Sequence, residues 1–147
     1  KMGVRGRGKL TLDEAWKEGP KTYLGLAIHG FPNMLTITGP GSPSVLTNMP
    51  RSIEQHVDWI TAFLNHCENS KAVAFEAEET AMIEWTDLVI AEANKTLLPK
   101  ANHSWYLGAN VPGKPRVFMP YCAGLDKYRL HCLQVTEQGY PGFYISS

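Results

Sequence analysis

Residues 105–116 read WYLGANVPGKPR, the most distinctive stretch of this 147-residue chain. Residues 101–116 contain two glycines, two prolines and two asparagines, which predicts a long ordered loop rather than a helix or a strand. Within this loop, Trp105 offers a large apolar plane and an N–H donor, a combination that suits contact with a nicotinamide nucleotide. The alternative is that Trp105 packs in the core, which is what we expect of the other three tryptophans.

The segments upstream of this loop predict a mixed α/β chain. Residues 1–12 read as a strand or hairpin arm, and residues 13–17 as a short helical turn. Residues 23–28 and 34–38 read as two strands, the second of them apolar enough to be buried on both faces. A further short strand is predicted at residues 117–121. Strands in this order suit the last part of an open α/β sheet.

Three helices complete the predicted pattern. The first, over residues 50–67, begins near Asn48 and Pro50 and carries an apolar stripe at helical spacing: Ile53, Val57, Ile60 and Leu64. The second, over residues 75–94, places three large side chains on one face: Met82, Trp85 and Val89. The third, over residues 125–137, carries Tyr128, Cys132 and Val135.

Composition excludes several classes of protein. The chain has 14 basic and 14 acidic residues, so its balance offers no electrostatic basis for binding nucleic acid or an anionic membrane. Three cysteines without CxxC spacing argue against a disulfide framework or a structural zinc site and favour a reducing cytoplasm. Five histidines show neither HxxxH nor HExxH spacing, and GxSxG is absent from the sequence, so neither a metal site nor a nucleophilic serine is predicted.

The segment GPGSPS, residues 39–44, imitates a dinucleotide-binding fingerprint because it follows a predicted strand and precedes a helix. The fingerprint requires free backbone amides and a helix that starts inside the glycine run. Pro40 and Pro43 each remove an amide, and the predicted helix begins only near Pro50. Binding of a pyrophosphate at this segment is therefore disfavoured.

Read together with WKEGP at residues 16–20 and GFPN at residues 30–33, the 105–116 run resembles the C-terminal portion of Baeyer–Villiger flavin monooxygenases of the cyclohexanone and phenylacetone type. The resemblance implies an enzyme that uses FAD and NADPH to insert one oxygen atom of O2 beside a ketone. It also implies an α/β fold, the last strands of the FAD domain plus helices of a flavoprotein with two dinucleotide-binding domains. The alternatives are a flavin monooxygenase that oxidises nitrogen or sulfur, and a non-catalytic interaction fragment.

The resemblance further implies a division of the chain. Residues 1–67 correspond to the C-terminal part of the FAD-binding domain with a flavin-facing helix, and residues 68–147 to a helical region with an NADP-contacting loop. Such enzymes are several times longer, so we expect a fragment whose partners are the remainder of the monooxygenase, a ketone and O2. The family's active-site arginine is expected upstream of Lys1, and no catalytic residue is assigned.

Six site residues follow from the resemblance: Ser44, Val45 and Leu46 for the substrate, and Asn48, Met49 and Trp105 for the cofactors. The first three correspond to the family's substrate-lining loop, although Val45 and Leu46 could instead fill the core under the helix. Met49 corresponds to a position against the flavin ring, where the positive end of the helix dipole can stabilise negative charge at N1 and O2. Trp105 corresponds to a tryptophan on a mobile loop that donates to the ribose of NADP.

Overall fold

The computed structural model describes residues 3–44, 47–100, 105–107 and 115–147. These residues form four α-helices and two β-strands: α1 Leu12–Ala15, α2 Met49–Asn69, β1 Ala74–Ala77, α3 Glu79–Asn94, α4 Leu125–Glu137 and β2 Phe143–Ser146. Short 3₁₀ turns occur at Arg7–Lys9, Leu98–Lys100 and Trp105–Leu107. None of the helices in the described ranges combines the length with the apolar character that a membrane span requires.

Helix α2 confirms the predicted first helix but buries a different face. Asn48 caps it, since its Oδ1 accepts a hydrogen bond from the Arg51 amide at 3.4 Å. Three residues of the predicted apolar stripe, Ile53, Val57 and Leu64, are exposed, and only Ile60 packs against the core. The buried face consists of Ser52, His56, Trp59, Phe63 and Cys67. Both faces have helical spacing, and the aromatic side chains occupy the core because they bury the most apolar surface.

The sheet is a two-stranded antiparallel ribbon that the sequence did not predict. β1 pairs with β2, with Phe75 opposite Ile145 and Ala77 opposite Phe143. The prediction that residues 75–78 belong to the second helix is wrong, because α3 begins only at Glu79. Alanine and glutamate in this segment favour a helix locally, but pairing with the distant β2 overrides that preference.

The strands predicted at residues 23–28, 34–38 and 117–121 were also wrong. Residues 23–27 form a tight turn in which Tyr23 N donates to Ala27 O at 2.7 Å, and Leu24 has a positive φ of 57°. Isolated bridges such as Ala27–Leu35 replace the expected ladders, and the bridge Arg5–Thr11 is what remains of the predicted hairpin arm. The apolar run at residues 23–28 therefore signalled burial and not extension.

The core brings the two predicted halves of the chain together. Trp59 and Phe63 of α2 stack at a centroid distance of 5.4 Å, and Trp59 Nε1 donates to Cys132 O of α4 at 3.0 Å. The same buried cluster contains Trp85 and Val89 of α3, which confirms the predicted inward face of that helix. All three cysteines are buried and carry free thiols.

Candidate functional site

The GPGSPS segment, residues 39–44, is a loop whose backbone is anchored in the core, and we call it the glycine–proline loop. Gly41 lies at its centre with a φ of 82°, a conformation that favours glycine. Its N–H donates to Met119 O at 2.7 Å, and its carbonyl accepts from Trp85 Nε1 at 3.0 Å. A β-carbon at Gly41 would stand 3.1 Å from the Trp85 Nε1 atom, so the indole and the loop are closely fitted.

Further bonds fix the loop on either side of Gly41. Thr22 Oγ1 donates to Pro40 O at 2.5 Å, and Ser42 Oγ donates to Gly39 O at 2.6 Å. Tyr121 N donates to Ser42 O at 3.0 Å. Ser42 is almost completely buried. These bonds therefore hold the backbone of residues 39–42 against the core.

These bonds also bear on the dinucleotide alternative. The amides of Gly41 and Ser42 already donate to the carbonyls of Met119 and Gly39. A pyrophosphate would need those same donors. These two amides therefore serve the protein's own hydrogen bonds, which agrees with the prediction from Pro40 and Pro43 that this segment does not bind a pyrophosphate.

Beyond the loop the chain reaches the surface at the start of α2. Ser44 is half-buried, whereas Asn48 is exposed and Met49 is 37% exposed. Val45 and Leu46 lie outside the described residues. Thr47 carries a buried Oγ1 atom that has no hydrogen-bond partner among the described residues. Asn48 and Met49 thus lie at the positive end of a 21-residue helix, and Ser44 precedes them in the chain as the last residue of the glycine–proline loop.

The backbone of Trp105 begins a 3₁₀ turn, Trp105–Leu107; its side chain lies outside the described part of the structure. Met119 connects this turn to the glycine–proline loop. Met119 N donates to Tyr106 O at 3.1 Å, while Met119 O accepts from Gly41 N at 2.7 Å. Met119 therefore links the turn that contains Trp105, predicted to contact NADP, to the loop that contains Ser44, predicted to contact the substrate.

His56 is a buried residue bonded to Thr38, just before the glycine–proline loop, and the sequence gave no reason to select it. It lies on the buried face of α2, and its Nδ1 accepts the N–H of Thr38 at 3.1 Å. Burial lowers the pKa of this imidazole to about 4, so the ring is neutral near pH 7. Its position one turn after Ser52 on one helix face was the available signal, but only the fold shows which face is inside.

Comparison with known proteins agrees with this picture. No protein-family model matches the chain. The cyclohexanone 1,2-monooxygenase of Acinetobacter sp. is 37% identical over 99% of the chain, and a Baeyer–Villiger monooxygenase of Pseudooceanicola batsensis is 42% identical over 95%. This chain corresponds to a segment of the Baeyer–Villiger flavin monooxygenases. The phenazine N-monooxygenase PhzNO1 of Lysobacter antibioticus is 38% identical over 99%.

Solved structures show the same relationship. The cyclohexanone monooxygenase of Rhodococcus sp. Phi1 bound to NADP+ superimposes with a TM-score of 0.93, at 38% identity over 98% of this chain and 27% of that one. A steroid monooxygenase bound to NADP gives 0.87, at 46% identity over 97% of this chain and 26% of that one. The predicted fold class is confirmed, while the division at residue 67 stays a prediction.

The matches cover only part of these monooxygenases. The chain spans about a quarter of the length of the curated relatives it matches, with 26%, 25% and 26% of the three relatives covered. A further structure, OTEMO in complex with FAD and NADP, has a TM-score of 0.88 and 31% identity over 97% of this chain and 26% of that one.

Proposed function

We propose that this chain is part of an FAD- and NADPH-dependent Baeyer–Villiger monooxygenase that converts a ketone to an ester or lactone. The balanced reaction consumes one ketone, O2, NADPH and a proton, and yields the ester, NADP+ and water. The observation that carries the proposal is the match of 99% of the chain to a cyclohexanone 1,2-monooxygenase. We also propose a cytoplasmic location, which fits the three free thiols.

The start of α2 suits a flavin ring on chemical grounds. The dipole of a long helix favours negative charge at its first turn, and the reduced ring carries such charge at its N1 and O2 edge. The buried Thr47 Oγ1 atom, without a partner among the described residues, offers a donor beside Asn48 and Met49. FAD, when bound, would supply the activation of O2 by electrons from NADPH. The protein segment would orient the ring and stabilise its charge.

The substrate and nucleotide assignments complete the proposal. Ser44, Val45 and Leu46 would line the ketone pocket, delivered there by the glycine–proline loop. Trp105 would contact NADP, with the 1–67 portion facing the flavin and the 68–147 portion carrying this nucleotide contact. The Met119 bonds support a shared site, because they tie the Trp105 turn to the loop that contains Ser44.

A second candidate activity is oxygenation of an aromatic nitrogen. The phenazine N-monooxygenase is as similar to this chain as the cyclohexanone enzyme is, so the segment by itself is compatible with either acceptor. The two reactions share the flavin and the nicotinamide nucleotide. They differ in the atom that receives oxygen, a carbonyl carbon or a ring nitrogen.

The test uses the complete protein that contains this chain. We expect the purified protein to show flavin absorbance and to oxidise NADPH faster when a ketone is added, with ester or lactone as the product. An N-heterocycle and a thioether serve as competing acceptors. Exclusive N-oxide formation would favour the second candidate, and a colourless protein without NADPH oxidation would refute both.

Replacement of Trp105 by alanine tests the nucleotide assignment. We expect the KM for NADPH to rise by about 5- to 150-fold, since one hydrogen bond and one apolar contact with the nucleotide are lost. The melting temperature without NADP should change little. A core tryptophan would behave in the opposite way, because its truncation costs about 3–5 kcal/mol in every ligation state. A large loss of stability with unchanged NADPH kinetics would contradict the assignment.

A further inference from the structure

His56 is an imidazole within the core whose hydrogen bonding selects one tautomer. Its side chain is 0% exposed, and the ring meets Tyr128 edge-on at a centroid distance of 5.4 Å. Nδ1 accepts the Thr38 N–H at 3.1 Å, so the proton of the neutral ring lies on Nε2. The lone pair of Nδ1 therefore holds the backbone N–H of Thr38.

The residue that His56 holds is itself unusual. Thr38 has a φ of 55°, in the left-handed region that a β-branched side chain rarely adopts. Such a backbone persists only where neighbouring groups determine it. Thr38 also immediately precedes the glycine–proline loop. The backbone conformation of Thr38 therefore sets the direction in which the chain enters that loop.

The hydrogen bond from Thr38 N to His56 Nδ1 links two residues that flank the proposed site in the chain. Between them in the sequence come the glycine–proline loop, which ends at Ser44, and the exposed start of α2. Thr38 precedes the glycine–proline loop at one end, and His56 lies in the third turn of α2 at the other. A change at Thr38 therefore acts at the start of the glycine–proline loop, and a change at His56 acts within α2.

We infer that His56 is a positioning residue, which sets the placement of Ser44 and the start of α2 by holding the backbone of Thr38. The inference rests on the proposed function, because the segment it places is the one assigned to ketone and flavin. Burial lowers the pKa of His56 to about 4, which keeps Nδ1 available as an acceptor at neutral pH. His56 acts through Thr38 and not on the reacting atoms.

The two ring nitrogens allow a decisive comparison. Nε2 has no hydrogen-bond partner among the described residues, so a direct contact with a ligand would use Nε2. The positioning role uses Nδ1. An asparagine amide reaches the place of Nδ1, and a glutamine amide reaches the place of Nε2. His56→Asn therefore preserves the inferred role, and His56→Gln removes it.

The experiment measures ketone kcat/KM and the fraction of NADPH coupled to product in the complete monooxygenase. His56→Asn should stay within about threefold of wild type, and His56→Gln should lose about 10- to 100-fold with poorer coupling. His66→Asn, on the same helix but packed against Tyr140, is the matched control and should leave activity unchanged. Hydrogen exchange at the Thr38 amide gives a readout independent of the reaction, with protection kept in Asn and lost in Gln.

The contrary outcomes are distinct. An active Gln variant with an impaired Asn variant would show that Nε2 acts directly, and equal losses that follow the melting temperature would show packing alone. Unchanged Thr38 protection in both variants would also overturn the inference. A wild-type protein with no ketone-dependent activity would refute the proposed function, while the exchange data would still decide the role of His56.

Discussion

Gly142 illustrates at the residue scale how the fold restricts side chains near its sheet. It has a φ of 83° and lies under the ring of Tyr23, whose hydroxyl donates to Pro141 O at 3.0 Å. A β-carbon at Gly142 would stand 2.7 Å from two ring carbons of Tyr23. Gly139 has a similar φ of 79°, yet a β-carbon there would meet nothing within 4 Å. A side chain at Gly139 would meet only backbone strain, whereas a side chain at Gly142 would meet both backbone strain and a clash with Tyr23.

Alanine at each position tests this distinction. Gly139→Ala should lower the free energy of unfolding by about 1–2 kcal/mol, the cost of a left-handed alanine. Gly142→Ala should cost a further 1–3 kcal/mol or so, because the Tyr23 ring must move. Urea unfolding of the two variants measures the difference. Equal losses would mean that the Tyr23 ring yields freely.

His56 predicts a pH dependence of stability. Its pKa is about 4 in the fold and near 6.5 when unfolded, so the unfolded chain binds the extra proton first. The stability contribution is therefore complete above about pH 6.5 and is lost as the pH falls toward 4. We expect wild type to lose about 2 kcal/mol relative to His56→Asn between these limits. A difference that does not vary with pH would show that the imidazole is solvated in the fold.

The residues of the candidate site differ in whether the sequence alone could identify them. The resemblance supplied Ser44, Asn48, Met49 and Trp105 as positions, because local motifs carry them. It did not supply Met119 or His56, whose importance comes from backbone groups far away in the chain. Partners of that kind are decided by tertiary packing, which a motif does not record.

Helix α2 shows the same limit at the scale of an element. Its existence and its start at Asn48 were predictable, because spacing and capping are local properties. Its buried face was not, since two faces carry apolar residues at helical spacing. The absent ladders at residues 23–28 have a related cause, because an apolar run can be buried in a turn as well as in a strand.

Truncations on the two faces of α2 should give unequal effects. Phe63 is fully buried and touches Trp59, Phe75, Tyr140 and Phe143, so Phe63→Ala should cost about 3–5 kcal/mol. Val57 is 44% exposed, and Val57→Ala should cost about 0.5 kcal/mol or less. Urea denaturation of each variant decides. A larger loss for Val57 would mean that the predicted stripe is the buried face after all.

At the scale of the whole molecule, one core joins the portions expected to face the flavin and the nicotinamide nucleotide. Trp85 belongs to the helical portion yet donates to Gly41 in the glycine–proline loop. Tyr128 of α4 likewise donates to Leu24 O at 2.7 Å. A disturbance of either portion should therefore reach the other. This connectivity fits the proposal that a flavin contact and a nucleotide contact serve one reaction.

We propose that this segment works in an enzyme that inserts one atom of O2 into a ketone. The most direct measurement supplies the complete protein with NADPH, a cyclic ketone and ¹⁸O2, then weighs the product by mass spectrometry. We predict a lactone that carries one ¹⁸O atom, formed with one NADPH consumed per lactone. NADPH consumption without a lactone, or a lactone that carries no ¹⁸O, would refute the proposed activity.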